Sequence, residues 1–200
     1  MNKPELNKGR VKQKLHTRSI ILDAAQKLMK YDKEVTLEDV ASEANVSRAT
    51  VYRYFSNIDL LYRETSLDLQ HKSPDELCSE VEEMSLPERI FYIQEYYSNV
   101  SQENEVLFRR YLSVVLGESV KSHQNLRGSR RVHTLNKSLK PFKNEMDKET
   151  YKNLISISAI LMGIDPLIAS KDVCGLNNEE SKRVLNWALE MILKGIDLKY

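Results

Sequence analysis

Glycine and proline are scarce in this chain, six and five among 200 residues. Strand-rich folds need more turn residues than that, so the shortage predicts helices joined by short connections. Cysteine occurs only at Cys78 and Cys174. Their spacing implies neither a disulfide framework nor a metal site, and both read as buried thiols of a reducing cytoplasm. His16, His71, His123 and His133 show no metal-ligand spacing either. No apolar run approaches the ~20 residues that cross a bilayer. The basic start "MNKPELNKGRVKQKLHTR" lacks the apolar centre of a signal peptide. Also missing are a Gly-rich phosphate loop, a Gly-x-Ser-x-Gly elbow and a recognisable carboxylate pair. Nothing in the sequence therefore asks for catalysis, a cofactor or a metal.

What is present is a soluble-type composition, 41% apolar and 30% charged, enough for one substantial core or for a small domain joined to a larger one. The net charge of +1 hides an asymmetry. Residues 1–72 carry 13 Lys+Arg against 10 Asp+Glu, and residues 73–200 carry 17 against 19. Residues 1–18 hold six basic side chains and one acidic, Glu5. A basic arm of this kind before the first helix is a common mark of nucleic-acid binding, though many such arms are merely solvated.

Helical periodicity dominates. From Thr17 to Tyr31, Ile21, Ala24, Ala25 and Leu28 share one stripe. In "VTLEDVASEAN" Thr36 is placed to cap a helix whose stripe is Leu37, Val40, Ala41 and Ala44, with Asn45 suited to a left-handed turn. Ser47 caps a short helix running to about Phe55. Asn57 or Ser56 caps a fourth, with Ile58, Leu61, Thr65 and Leu69 on one face. "HKSPDEL" then interrupts the pattern near a domain boundary. Later helices are expected at about 75–83, 87–101, 103–121, 129–145, 148–169 and 179–197, with Pro141 and Pro166 ending or kinking theirs. "LISISAILMGIDPLIA" and "VLNWALEMILKGI" are the most apolar stretches, and a last helix this apolar in a small domain often needs a partner chain to cover it.

Residues 36–55 thus read as helix, tight turn, helix. Val46 plugs the corner, and Val51 with Phe55 points inward. Ser47, Arg48, Ala49, Thr50, Tyr52, Arg53 and Tyr54 lie on or beside the opposite face. Such a helix can enter a major groove with its first residues at base edges. Arg48 is suited to bidentate contact with guanine O6 and N7. Ala49 lets the backbone approach, and Thr50 offers a hydroxyl or methyl. Tyr52, Arg53 and Tyr54 are placed to clamp phosphates, which sets register without reading sequence. The Ser47 and Thr36 hydroxyls can add phosphate contacts. The plainer alternative is a helical corner with a solvated polar face.

The run "TLEDVASEANVSRATVYRYFSNIDLLYRE", with the preceding "RSIILDAAQKLMKY", resembles the DNA-binding domain of the tetracycline-repressor (TetR/AcrR) family of bacterial transcriptional regulators. Thr36, Val40-Ala41, Val46-Ser47, Ala49-Thr50-Val51-Tyr52 and Tyr54-Phe55 carry the match, which spans residues 17–70. Asn45 and Ala49 stand where glycine is frequent. Ile58 stands where many members have a phosphate-contacting lysine, which shifts weight to Arg53 and the basic arm. The segment "ILMGIDPLIASKDVCGLNNEESKRVLNWALEMIL" is similar to the paired C-terminal helices of some members.

The resemblance implies an all-α protein with two domains. Residues 1–56 would be the arm and a three-helix, helix-turn-helix DNA-binding domain. Residues 57–200 would be a helical effector-binding and dimerisation domain, with helix 57–71 connecting the two. It implies a ligand-responsive regulator, most often a repressor, that binds a palindromic operator as a homodimer in the cytoplasm, at the nucleoid. Leu154, Ile157, Leu161, Leu185, Ala188 and Ile192 are the expected dimer contacts. A small-molecule effector is expected among Tyr96, Phe108, Tyr111 and Met162, from a group that also holds Phe91, Tyr92 and Tyr97; a filled aromatic core is the equal alternative. A DNA-binding structural protein of the same fold without an effector is the main competing function, and a small-molecule enzyme a remote one.

One further cluster stands out. Lys121, Arg127, Arg130, Arg131, Lys137, Lys140 and Lys143 fall between Ser119 and Asn144 with no acidic residue among them. It reads first as a solvated face and second as an anion-binding or DNA-facing surface.

Overall fold

The computed structural model describes residues 3–30, 34–68, 72–124 and 126–196, and among these all regular structure is helical. The chain divides into two compact units, residues 1–70 with 106–126, and residues 71–105 with 127–200. The expected boundary between residues 56 and 57 came with the family resemblance, and the division at 70 and 71 lies beside the interruption at "HKSPDEL". Compactness instead keeps the connecting helix with the helix-turn-helix and returns a later segment to it.

The first unit contains α1 (Lys3–Met29), α2 (Leu37–Glu43), α3 (Arg48–Tyr54), α4 (Ile58–Asp68) and most of α7 (Glu105–Ser122). Its core joins Ile21, Leu22, Ala25 and Met29 of α1 to Val40, Ala41, Val51, Phe55, Leu61, Tyr62 and Leu107. The α1 stripe is as its periodicity predicts, with Leu28 only partly buried. The helix itself begins at Lys3 and not at Thr17, so the basic arm is helical. Pro4 is tolerated in a first turn, and the Lys, Glu, Gln, Leu and Arg residues that follow are good helix formers. Asn57 caps α4 by accepting the Leu60 amide at 2.8 Å. The expected Leu69 position lies outside the described residues.

The second unit contains α5 (Pro74–Glu80), α6 (Leu86–Glu103), α8 (Arg130–Ser138), a 3₁₀ turn (Lys140–Asn144), α9 (Lys148–Ile160), α10 (Ile164–Asp172) and α11 (Asn178–Lys194). Reciprocal capping starts α5 through Ser73 and Glu76, and α11 through Asn177 and Glu180. Pro141 sits in the first turn of the 3₁₀ segment, so the stretch expected over 129–145 is split there. The core gathers Ile90, Ile93, Tyr97, Leu135, Leu139, Leu154, Ile155, Met162 and Leu189. Arg89, only 6% exposed, is buried in this unit. Its guanidinium donates to the backbone carbonyls of Met84 at 2.8 Å, Ser138 at 2.6 Å and Glu82, and lies 4.9 Å from the Phe142 ring. Three carbonyls and a ring face do here what a carboxylate does for most buried arginines.

The single helix expected over 148–169 is broken. α9 and α10 meet at an angle of 59°, and the break lies at Gly163, whose φ of +82° suits glycine. Pro166 falls in the first turn of α10, where its missing N–H costs nothing. A Cβ at Gly163 would lie 3.0 Å from Arg131 Nη1. That guanidinium donates to the Met162 carbonyl and to Asp165 at 2.9 Å, and Arg127 reaches Asp165 at 2.7 Å. Burial opposes ionisation of Asp165, but the two guanidinium groups outweigh it and hold its carboxyl below the usual range. The basic cluster of 121–143 is therefore partly committed. Arg127 and Arg131 secure the break, Lys137 pairs with Asp75, and Lys121, Arg130, Lys140 and Lys143 are exposed. Cys174 is also exposed and Cys78 half-buried, so neither is the buried thiol expected.

Candidate nucleic-acid interface

The turn between α2 and α3 is built locally. Thr36 accepts the Asp39 amide at 3.1 Å, and Asp39 Oδ2 accepts the Thr36 amide at 2.9 Å, a reciprocal cap. Hydrogen bonds from the Thr36 hydroxyl and amide lower the Asp39 pKa from its ordinary value. Asn45 then takes φ of +51°, a conformation Asn tolerates better than most residues. The Val46 amide closes on the Ala41 carbonyl at 3.0 Å. Ser47 caps α3, accepting the Thr50 amide at 3.1 Å and sharing a 2.8 Å hydroxyl contact with Thr50.

Burial divides α3 by face. Val51 and Phe55 are 0% and 2% exposed. Ser47, Arg48, Ala49, Tyr52 and Arg53 are exposed, and Thr50 and Tyr54 are half-buried at the edge. Arg48 has no ion pair among the described residues, so its guanidinium is not already committed to a carboxylate. The Arg53 guanidinium lies 5.5 Å from the Tyr54 ring centroid, which holds it beside that face.

Two of the expected contacts are already engaged. The Tyr52 hydroxyl donates to Glu38 Oε1 at 3.0 Å, and that hydrogen bond raises its pKa above the ordinary value. The Thr36 hydroxyl donates to Asp39 Oδ2 at 2.6 Å. For either hydroxyl to reach a phosphate it must leave a carboxylate. Ile58 packs against the core of this unit, so the position gives the exposed face no charge.

Periodicity missed one feature, a cleft of about 560 Å³ lined by Gln13, Lys14, Thr17, Arg53 and Tyr54. The only sequence signal was Lys14, which stands seven residues before the fully buried Ile21 and so shares its side of α1.

This geometry coincides with a family match. Residues 21–65 match the model described as bacterial regulatory proteins, tetR family. They form a tetR-family DNA-binding domain. The protein is accordingly a helix-turn-helix, DNA-binding transcriptional regulator. No curated protein and no solved structure matches the chain at a significant level. The matched span of the tetR-family domain runs from the last third of α1 to the end of α4's second turn and holds α2 and α3 whole. α1 residues before Ile21 lie outside it.

The remaining expected sites are divided between the two units. Tyr96 and Met162 belong to the second unit, Phe108 and Tyr111 to the first. The Tyr96 hydroxyl accepts the Lys72 amide at 2.7 Å, and Met162 is 0% exposed in the second core. Phe108 packs on the core of the first unit. Of the expected dimer contacts, Leu154 is 2% exposed inside its own protomer core. Ile157, Leu161, Leu185, Ala188 and Ile192 are half-buried. The exposed apolar side chains nearby are Ile160 at 63%, Val184 at 42%, Trp187 at 61% and Met191 at 39%. Among the described residues no His/Cys/Asp/Glu group could hold a metal ion.

Proposed function

We propose that the protein is a ligand-responsive repressor that binds a palindromic operator as a homodimer through α3. The exposed face of α3, with an uncommitted Arg48 at its first turn, is the observation that carries the reading. Thr36, Ser47, Ala49, Thr50, Tyr52, Arg53 and Tyr54 would complete the contact. Two such helices on a symmetric dimer would meet half-sites one helical turn, about 34–36 Å, apart.

The test is selection of bound duplexes from a random pool. The expected product is an inverted repeat. Arg48→Ala should weaken binding by about 1–3 kcal/mol per half-site and relax base choice at one position in each. A variant that loses affinity evenly over all sequences, with the same consensus, would remove Arg48 from base reading.

Dimerisation is supported by the second apolar stripe of α11. Val184, Trp187 and Met191 repeat at i, i+3 and i+7, and Trp187 is 61% exposed. In place of the buried Leu154, we assign Ile160, Trp187 and Met191 to the interface alongside Ile157, Leu161, Leu185, Ala188 and Ile192.

The effector reading draws on Gln94 of α6. Its side chain is 1% exposed, and neither its amide nitrogen nor its oxygen has a partner within the protein among the described residues. Buried polar atoms are nearly always satisfied, so this amide calls for a bound polar molecule or water. Tyr96 and Met162 share its unit. Gln94→Leu removes both orphan atoms at once, and should leave the apo protein as stable or more stable by about 1 kcal/mol. In a thermal-shift screen of metabolite-sized compounds, any hit on the wild type should lose its shift in this variant. A hit that is retained would place the effector elsewhere.

A further inference from the structure

Just before α5, the Lys72 ammonium lies over two aromatic rings of α6. Its Nζ is 6.0 Å from the Tyr92 ring centroid and 5.7 Å from that of Tyr96. It donates to both carboxylate oxygens of Glu80, at 2.6 and 2.7 Å. The Tyr92 hydroxyl donates to Glu80 Oε2 at 3.0 Å and joins wall to floor. Two ring faces and a carboxylate around an ammonium are the elements of a cation cage. All four residues belong to the second unit.

The walls stand without help from the ammonium. Tyr92 and Tyr96 are four apart, on one side of α6. Gln94 between them is turned to the other side, so the cage is not the place of its orphan amide. The Tyr96 ring meets that of Tyr97 edge-on at 5.2 Å, and Tyr97 shares a 3.0 Å hydroxyl contact with the buried Thr134. The Tyr96 oxygen accepts the Lys72 backbone amide at 2.7 Å, a bond that uses no part of the lysine side chain. Glu80 ends α5, whose start is fixed by Ser73 and Glu76.

The occupant is held more loosely than its cage. The Lys72 and Glu80 side chains are 39% and 36% exposed, and an ion pair so open to water contributes little to stability. Their hydrogen bond raises the Lys72 pKa and lowers that of Glu80, so both are charged at neutral pH. With the lysine side chain swung into solvent, one uncompensated carboxylate and two ring faces would remain.

We propose that this cage is a binding site for primary aliphatic ammonium ions, with Lys72 as its built-in, displaceable occupant. A primary ammonium supplies the N–H donors that Glu80 accepts, and a quaternary one has none to give. Lys72 lies four residues beyond Asp68, the end of α4, so the exchange frees a side chain in the segment that follows the helix-turn-helix. The site is independent of the effector reading at Gln94, and either can fail without the other.

The test uses full-length protein and n-butylammonium chloride, which reproduces the carbons and nitrogen of the lysine side chain. Sodium chloride holds the ionic strength constant. In the wild type the two rings should shift the Lys72 ε-methylene proton resonances upfield. Titration with n-butylammonium should move them to the position of a solvated lysine. A tethered ammonium competes at an effective concentration on the order of millimolar, so Lys72→Met should bind the probe about 10-fold more tightly by calorimetry. Adding Glu80→Gln to that variant should abolish the gain, and 1-butanol and tetramethylammonium should bind the variant far more weakly than n-butylammonium. Lys72 resonances that stay in place through the titration overturn the displacement. Equal affinity of Lys72→Met with and without Glu80→Gln, or equal binding of 1-butanol, overturns the cage.

Discussion

Phe55→Ala is expected to destabilise the first unit by about 3–5 kcal/mol, the usual cost of emptying a buried aromatic site. Phe55 is 2% exposed and caps the end of α3, its amide bonded to the Val51 carbonyl at 2.9 Å. Its ring packs in the core that α1, α2, α3 and α4 share, with the Arg18 guanidinium 6.0 Å from its centroid. Only Val51 anchors α3 as completely. A helix of seven residues has no independent stability in water, so loss of one of two anchors frees it. DNA affinity should fall with it. Trp187 is the only tryptophan and lies in the other unit, so its fluorescence does not report this change. Amide exchange over residues 37–54 does, and should accelerate about 100-fold or more in the regime where reclosing outpaces chemical exchange and the rate follows the open population. Phe55→Leu should recover most of the protection. Unchanged exchange in the alanine variant would show that the ring does not hold α3.

Trp187→Glu is expected to convert the proposed homodimer to monomer at micromolar concentration. The side chain is 61% exposed in the protomer and flanked along α11 by Val184 and Met191. Covered by a second copy, tryptophan is the residue type that most often dominates an interface. A glutamate in its place brings an unpaired carboxylate into an apolar contact, which costs several kcal/mol. Dimer affinity should drop roughly 100- to 1,000-fold, equivalent to about 2.8–4.2 kcal/mol. Sedimentation at several concentrations measures this. Operator affinity should fall towards that of one half-site, with the consensus half-site unchanged. Trp187→Phe should retain the dimer. In the wild type, dilution should red-shift tryptophan emission as the ring enters water. A dimer that survives Trp187→Glu would move the interface to another face.

The reading head was legible because its determinants are local. Thr36 with Asp39, Asn45 at the turn, and Ser47 with Thr50 each act within three residues, and the inward pair Val51 and Phe55 follows from the helical repeat. The candidate contacts of α3 were therefore named from spacing alone. Two were altered by neighbours that spacing does not rank: Glu38 takes the Tyr52 hydroxyl, and Asp39 takes that of Thr36.

The second unit was less legible for a physical reason. Its helices are apolar on more than one side, so periodicity cannot say which apolar side faces the core and which is left uncovered. Leu154 and Ile160 both lie on α9, yet one is 2% and the other 63% exposed, and only the packed neighbours decide this. The basic run from 121 to 143 reads as solvated until Asp165, 34 residues from Arg131, accepts two of its guanidinium groups. Arg131 spans the break at Gly163, bonding the Met162 carbonyl on one side and Asp165 on the other. By itself, the sequence determined the all-helical class and the helix-turn-helix, which rest on contacts within a turn or two of chain. Only the tertiary structure decided which apolar faces are covered, which charges are spent, and that Lys14 and Arg53 share a cleft, because each depends on residues distant in sequence meeting in space.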